Sequence, residues 1–263
     1  MTNRIAQQFT NDSKTSLIMY LTAGDPHLDW TVDIMEQCVT SGADIIEIGI
    51  PFSEPMAEGP VIQRAMERAL ANKVTTQDVF ACVRQFRKNN KTTPIVLMGY
   101  LNPVEVMGYE VFAKAASESG ADGVLMVDLP VEEAKAYCDA LEAHQLAPIF
   151  LVSQTTSDER LKTICSLGRG FIYFVSLKGV TGSNTLNPDD VANKINIIKQ
   201  MTDLPVVVGF GIKDKAAVAK LGVAADGVVV GSALVKAIAE ASESKEAALT
   251  KVDKFTAELK SAC

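Results

Sequence analysis

Histidine is nearly absent from this chain: two occur in 263 residues, His27 and His144, far apart. Histidine-based metal sites and Ser/His or Cys/His triads therefore lack the partners they need. Five cysteines (Cys38, Cys82, Cys138, Cys165 and Cys263) are scattered, odd in number and without CxxC spacing. That pattern fits reduced thiols in a cytosolic protein better than a disulfide framework. No apolar run is long enough to span a bilayer, and the N-terminal MTNRIAQQFTNDSK has no apolar core of the signal-peptide kind. Basic residues are outnumbered by acidic ones, 25 to 32, for a net charge of −7. A general nucleic-acid or membrane-surface role is disfavoured on that ground, while a local site for a phosphate is not. The expected location is cytoplasmic.

What is present is apolar material, 48% of residues, enough for one large core. It comes as short β-rich runs alternating with longer amphipathic segments. Strands are expected at Leu17–Leu21, Ile45–Ile50, Ile95–Met98, Gly123–Val127, Pro148–Val152, Phe171–Val175, Pro205–Val208 and Gly227–Val230. Helices are expected at Leu28–Ser41, Val61–Ala71, Val79–Arg87 behind the caps Thr75 and Thr76, Tyr109–Ser119, Val131–His144 with its early acids, after the caps Thr156 and Ser157, Asp189–Met201, Lys215–Leu221 and Ala233–Ala262. Only Ser176–Asn187 has no periodicity. Eight strand–helix units with near-continuous apolar strands predict parallel strands buried on both faces. No linker divides them, so residues 1–263 read as one (β/α)₈ TIM barrel, an α/β fold, with extra N- and C-terminal helices. An open doubly wound sheet is the rival, and the lack of a GxGxxG after the first strand lowers the odds of a dinucleotide site.

In such a barrel chemistry belongs at the C-terminal strand ends. The stretch Asp44–Pro60, DIIEIGIPFSEPMAEGP, places one acid inside an apolar run and two more in the loop that follows. Ile45, Glu47 and Gly49 share one strand face; Ile46, Ile48 and Ile50 share the other. If the first face points inward, desolvation raises the Glu47 pKa toward the range of a general acid–base. Unaided, Glu54 and Glu58 read as solvated loop acids, although one of them paired with Glu47 would form a two-carboxylate site. Glycines at Gly179–Gly182, Gly209–Gly211 and Gly231–Ser232 let backbone N–H groups approach an anion. Tyr20, Met98, Tyr100, Leu125, Leu151, Tyr173 and Phe210 read as core one by one, and together as the wall of a flat apolar pocket.

Several ordered blocks carry a resemblance: LTAGDP (Leu21–Pro26), EIGIPFSEPMAEGPVIQRA (Glu47–Ala65), PIVLMGYLNP (Pro94–Pro103), DLPVEEA (Asp128–Ala134), GVTG (Gly179–Gly182), VGFGI (Val208–Ile212) and DGVVVGSALV (Asp226–Val235). Over nearly its whole length the chain resembles the tryptophan synthase α-subunit family. The resemblance implies a barrel lyase that cleaves indole-3-glycerol phosphate to indole and glyceraldehyde 3-phosphate with no cofactor and no metal. It implies that Glu47 moves protons between the indole ring carbon and the glycerol hydroxyl, and that Glu58 holds the indole N–H. By the same resemblance Gly182, Gly211, Gly231 and Ser232 cradle the phosphate, Tyr20, Tyr100, Leu125, Tyr173 and Phe210 line the indole pocket, and Thr181 sits on a loop that closes over the substrate. A pyridoxal-phosphate-dependent β subunit is the implied partner, in an α₂β₂-type complex, with Pro51, Glu54, Pro55 and Asn102 as contacts.

Two departures stand out. The family pattern P-F-S-D-P-x-A-D-G-P has aspartates where this chain has Glu54 and Glu58, and an arginine usually follows the serine at position 176, where Leu177 stands here. The longer acid at Glu58 leads us to expect a lowered rate, since a misplacement near 1 Å costs on the order of 10²-fold. The alternative reading is an impaired homologue kept as an activating partner of the β subunit. Another phosphate-sugar barrel enzyme, such as an isomerase, is disfavoured by the apolar pocket and the two carboxylate positions.

Overall fold

The computed structural model describes residues 4–10, 15–176, 188–209 and 211–263. Eight strands close into one parallel barrel in sequence order: β1 Ser16–Thr22, β2 Ile45–Gly49, β3 Ile95–Gly99, β4 Gly123–Met126, β5 Ala147–Ser153, β6 Ile172–Val175, β7 Val206–Gly209 and β8 Gly227–Val230. Closure is made by β1 pairing with β8, Leu17 opposite Val228. Each expected strand is present within two residues of its expected ends.

The helices before the barrel's midpoint are α1 Arg4–Gln8, α2 Thr31–Thr40, α3 Pro60–Ala71, α4 Thr76–Asn89, α5 Leu101–Met107 and α6 Tyr109–Ser119. Those after it are α7 Lys135–Ala143, α8 Asp158–Leu167, α9 Pro188–Lys199, α10 Lys215–Gly222, α11 Ser232–Glu240 and α12 Lys245–Lys260. Thr75 caps α4 in a reciprocal box with Asp78, and Ser157 caps α8 through the Arg160 N–H.

Three expected helices are corrected. Leu28–Ser41 begins as a 3₁₀ turn, Leu28–Trp30, before α2. Val131–His144 likewise opens as a 3₁₀ turn at Val131–Glu133, so Glu132 and Glu133 lie outside the first turn of α7. The C-terminal segment breaks into α11 and α12, the second capped by Ser244. Helix α5 had no counterpart in the sequence reading: its one buried residue is Val104, so it shows no apolar stripe, and Pro103 sits in its first turn, where a missing N–H costs nothing.

Strand side chains alternate between two cores. Ile46, Ile48 and Ile50 join the large cluster between sheet and helices. Ile18, Tyr20, Ile45, Val96, Met98, Leu125, Ile149, Tyr173, Val207 and Val229 fill the barrel interior. The N-terminal helix closes the foot of that interior: Ile5 is fully buried against it, and Phe9 meets Phe171 edge-on at 6.0 Å.

The strand feet are pinned by aspartates. Asp44, just before β2, accepts the Leu17 N–H at 2.7 Å and the Lys260 ammonium at 2.6 Å. Asp122, just before β4, accepts the Ile95 N–H and both Arg4 and Arg87, each at 2.8 Å. Asp226, just before β8, accepts the Val206 N–H and Lys199, each at 2.7 Å. In each case the acid preceding one strand fastens the start of the strand before it. The sequence carries this as Ala-Asp repeated at Ala43-Asp44, Ala121-Asp122 and Ala225-Asp226, a signal the sequence reading did not use.

Candidate active site

Glu47 lies on the inward face of β2, opposite Tyr20 of β1 and Val96 of β3. It is 2% exposed, and among the described residues neither carboxylate oxygen has a hydrogen-bond partner. Burial, and next the charge of Glu58, push its pKa up to about 8. A buried carboxyl without a donor is held in its neutral form.

The two loop acids part company. Glu54 is exposed, whereas Glu58 is 5% exposed with Oε1 lacking a partner. Burial raises its pKa to about 7. The loop turns Glu58 inward through a set of short bonds: the Glu58 N–H donates to the Pro55 carbonyl at 3.0 Å, and the Ala57 N–H donates to the Tyr100 hydroxyl at 3.0 Å. Phe52 stacks on Tyr100 with ring centres 5.0 Å apart. An aperiodic Pro/Gly loop has no sequence signal for which of two acids turns inward.

Three tyrosines face this pair. Tyr20, Tyr100 and Tyr173 are each 2–4% exposed. All three hydroxyls are held protonated, first by burial and then by the nearby carboxylates, Glu58 foremost for Tyr20 and Tyr100 and Glu47 for Tyr173. Tyr20 shares a 3.1 Å hydrogen bond with the Thr22 hydroxyl. Two glycines make room for two of these rings: a Cβ at Gly49 would overlap the Tyr20 hydroxyl, and one at Gly209 would overlap that of Tyr173. From the first turn of α3 the Gln63 side-chain amide donates to the Glu58 carbonyl at 2.9 Å; neither this bond nor the two glycine roles carries a signal in the sequence. Leu125 is fully buried in the same interior cluster.

On the other side of Tyr20 stands Gly231, where a Cβ would lie 3.4 Å from the ring. Gly231 precedes α11, and Ser232 is its first residue. Gly211 follows β7 with a φ of +78°, a conformation suited to glycine. Gly211, Gly231 and Ser232 thus stand just beyond the C-terminal ends of the neighbouring strands β7 and β8. Thr181, Gly182 and Phe210 lie outside the described residues.

The arrangement can move a proton: two buried acids with raised pKa values share an apolar, tyrosine-lined space, with a helix N-terminus at its rim. Among the described residues no group of His, Cys, Asp and Glu side chains is placed to hold a metal ion, and no helix there is long and apolar enough to cross a membrane.

Comparison with known proteins agrees with this geometry. The family model described as tryptophan synthase alpha chain matches residues 6–263. The tryptophan synthase alpha chain of Alkalilimnicola ehrlichii is 54% identical over 89% of this chain and 85% of its own length. That of Thioalkalivibrio sulfidiphilus is 51% identical over 99% of both. The crystal structure of tryptophan synthase subunit alpha from Legionella pneumophila superposes with a TM-score of 0.93 at 45% identity, covering 100% of this chain and 98% of that one. With a family match over almost its full length and relatives above half identity, the chain belongs to the tryptophan synthase alpha chain family.

Proposed function

We propose that Glu47 and Glu58 carry the acid–base work of the family's reaction in this chain. That reaction is a carbon–carbon lyase step, indole-3-glycerol phosphate to indole and glyceraldehyde 3-phosphate. The observation that carries the assignment is the Glu47 carboxyl, buried on the inward face of β2 with neither oxygen partnered among the described residues.

Glu47, buried and unpartnered among the described residues, enters protonated and gives its proton to the ring carbon that bears the glycerol chain. The positive charge this places on the ring reaches the indole N–H, which the Glu58 carboxylate holds. Glu47, now ionised, takes the proton of the adjacent side-chain hydroxyl. The oxygen's electron pair forms the aldehyde as the C–C bond breaks, and the bond's electrons return to the ring. Indole and glyceraldehyde 3-phosphate leave, and Glu47 is protonated again. Tyr20, Tyr100, Leu125 and Tyr173 hold the ring, while Gly211, Gly231 and Ser232 take the phosphate at the α11 N-terminus. Thr181, Gly182 and Phe210 join this reading through the family resemblance.

The same proposal treats residues 1–263 as one domain, supported by a sheet that closes on strands drawn from Ser16 to Val230 and by α1 and α12 packed onto it. It also takes a tryptophan synthase β subunit as partner, in an α₂β₂-type complex. Glu54 and Asn102 are exposed and Pro55 half-buried, as a contact requires; Pro51 is buried within the chain and offers no surface. Met56 and Val106, 74% and 83% exposed, add apolar area on the segments after β2 and β3. Nothing in the site favours the reading of an impaired partner protein.

The test is indole release from indole-3-glycerol phosphate by Glu47→Gln, expected to fall on the order of 10²- to 10⁴-fold, the usual worth of a general acid–base. Retention of more than about a tenth of the wild-type rate would sink the assignment.

A further inference from the structure

Glu58 owes its inward position to a loop, and the loop's backbone is held from outside the loop at two points. From the first turn of α3, the Gln63 side-chain amide donates to the Glu58 carbonyl at 2.9 Å and reaches the Pro55 carbonyl at 3.5 Å. From the end of β3, the Tyr100 hydroxyl accepts the Ala57 N–H at 3.0 Å. The N-cap of α3, Gly59, has no side chain to cap the helix start, and the Gln63 side-chain amide reaches past it to the loop carbonyls. Helix α3 is itself anchored. Arg68 grips the buried Asp25 with two bonds, 2.6 and 3.0 Å, and Asn72 donates to the Pro26 carbonyl at 3.0 Å. An unbroken path thus runs from the loop after β1, through α3, to the backbone of Glu58.

We propose that Gln63 is a positioning residue: by holding the Glu58 carbonyl it keeps that carboxyl inside the barrel mouth, and Tyr100 is its counterpart across the loop. This rests on the reading that Glu58 acts in the reaction. The physical reason is simple. A carboxyl with an unpartnered oxygen does not stay buried on its own account, since water would bind it better. Something covalent or hydrogen-bonded must hold it, and the bonds to its own peptide and its neighbour's do so. The groups that face Glu58 from the packed elements are Tyr20 of β1, Glu47 of β2, Tyr100 beyond β3 and Tyr173 of β6. None of these carries a positive charge that would draw a carboxylate inward.

The experiment measures indole release by the full chain from about pH 5 to about pH 9 for wild type, Gln63→Met and Glu58→Gln. Gln63→Met keeps the length of the side chain and removes its donors. The expected result is a fall in kcat on the order of ten- to a hundredfold with KM changed less than about threefold. Together with it, the acid limb of kcat/KM moves down by about one pH unit or more, because a Glu58 released toward water titrates nearer its ordinary value. A uniform fall with an unmoved acid limb would show a merely structural role and overturn the proposal. So would an unchanged rate in Gln63→Met beside an inactive Glu58→Gln. If Glu58→Gln is itself as active as wild type, the reading of Glu58 falls and the tether falls with it. Should Gln63→Met fail to fold, Tyr100→Phe removes the other anchor; the acid limb is expected to shift in the same direction, and an unmoved limb overturns the proposal.

Discussion

Asp122 and Glu47 are both buried acids, 3% and 2% exposed, at two levels of one barrel. Asp122 sits at the foot of β4 and takes bonds from Arg4, Arg87 and the Ile95 N–H. Glu47 sits inside β2 and takes none among the described residues. Burying a charge is costly unless it is paired and hydrogen-bonded. At Asp122 that cost is met by partners, and the half-buried Asp44 and Asp226 make the same kind of bonds, while at Glu47 it is unmet among the described residues. A group kept buried without a partner stays neutral and reactive, which is what a general acid requires. What separates the two acids is the presence of partners, not burial alone: Asp25, buried in the loop after β1 and gripped by Arg68, resembles Asp122 in this and not Glu47.

The largest expected break in this comparison is at the foot. Asp122→Ala leaves the Arg87 guanidinium buried without its carboxylate and frees the strand and helix starts tied to it. Removing one partner of a buried ion pair costs about 3–5 kcal/mol. Urea unfolding should show a loss of that order, with indole release by the folded fraction unchanged.

The second prediction concerns the mouth and has the opposite sign. Glu47 and Glu58 are acids whose folded pKa values, about 8 and about 7, lie above the ordinary 4.5. The folded chain therefore holds protons that the unfolded chain has released. Their contribution to stability is fully present below about pH 4.5 and is lost as pH rises through about 7 and 8. Glu47→Gln removes its share of that loss. In thermal unfolding at pH 8.5 the variant should be more stable than wild type, on the order of a few kcal/mol, and the gain should vanish near pH 4.5. A variant less stable than wild type at both pH values would contradict the account.

The smallest expected effect is at Glu58→Asp, which restores the family's shorter acid. If the extra methylene lowers the rate, the variant releases indole faster, by about threefold to tenfold. An equal or slower rate would mean that the loop has already adjusted to the longer side chain.

Much of this was legible in the sequence, for identifiable reasons. The two-residue period of Ile45, Glu47 and Gly49 against Ile46, Ile48 and Ile50 placed Glu47 on its own face of β2, because strand geometry leaves no third choice. Buried parallel strands announce themselves as apolar runs, so the barrel was readable too. What escaped notice was information that no periodicity carries. Glu54 and Glu58 are four residues apart in a loop, and only the bonds to Pro55, Tyr100 and Gln63 decide which one turns inward. The 3₁₀ turns at Leu28–Trp30 and Val131–Glu133 continue the apolar spacing of the helices they precede. The three Ala-Asp pairs at the strand feet are legible as a repeat, although nothing in their spacing says which strand each acid fastens.

Tyr20 fills the space that Gly49 leaves open, and Tyr173 does the same over Gly209. Each couple shares a single volume, so neither member can be replaced as though the other were fixed. A side chain added at residue 49 has room only after residue 20 has become smaller, and the reverse order opens a void before it is filled. Such neighbours do not contribute additively. The wall of this pocket can therefore drift only by paired steps, and a single-residue scan would record as forbidden some changes that two substitutions together would allow.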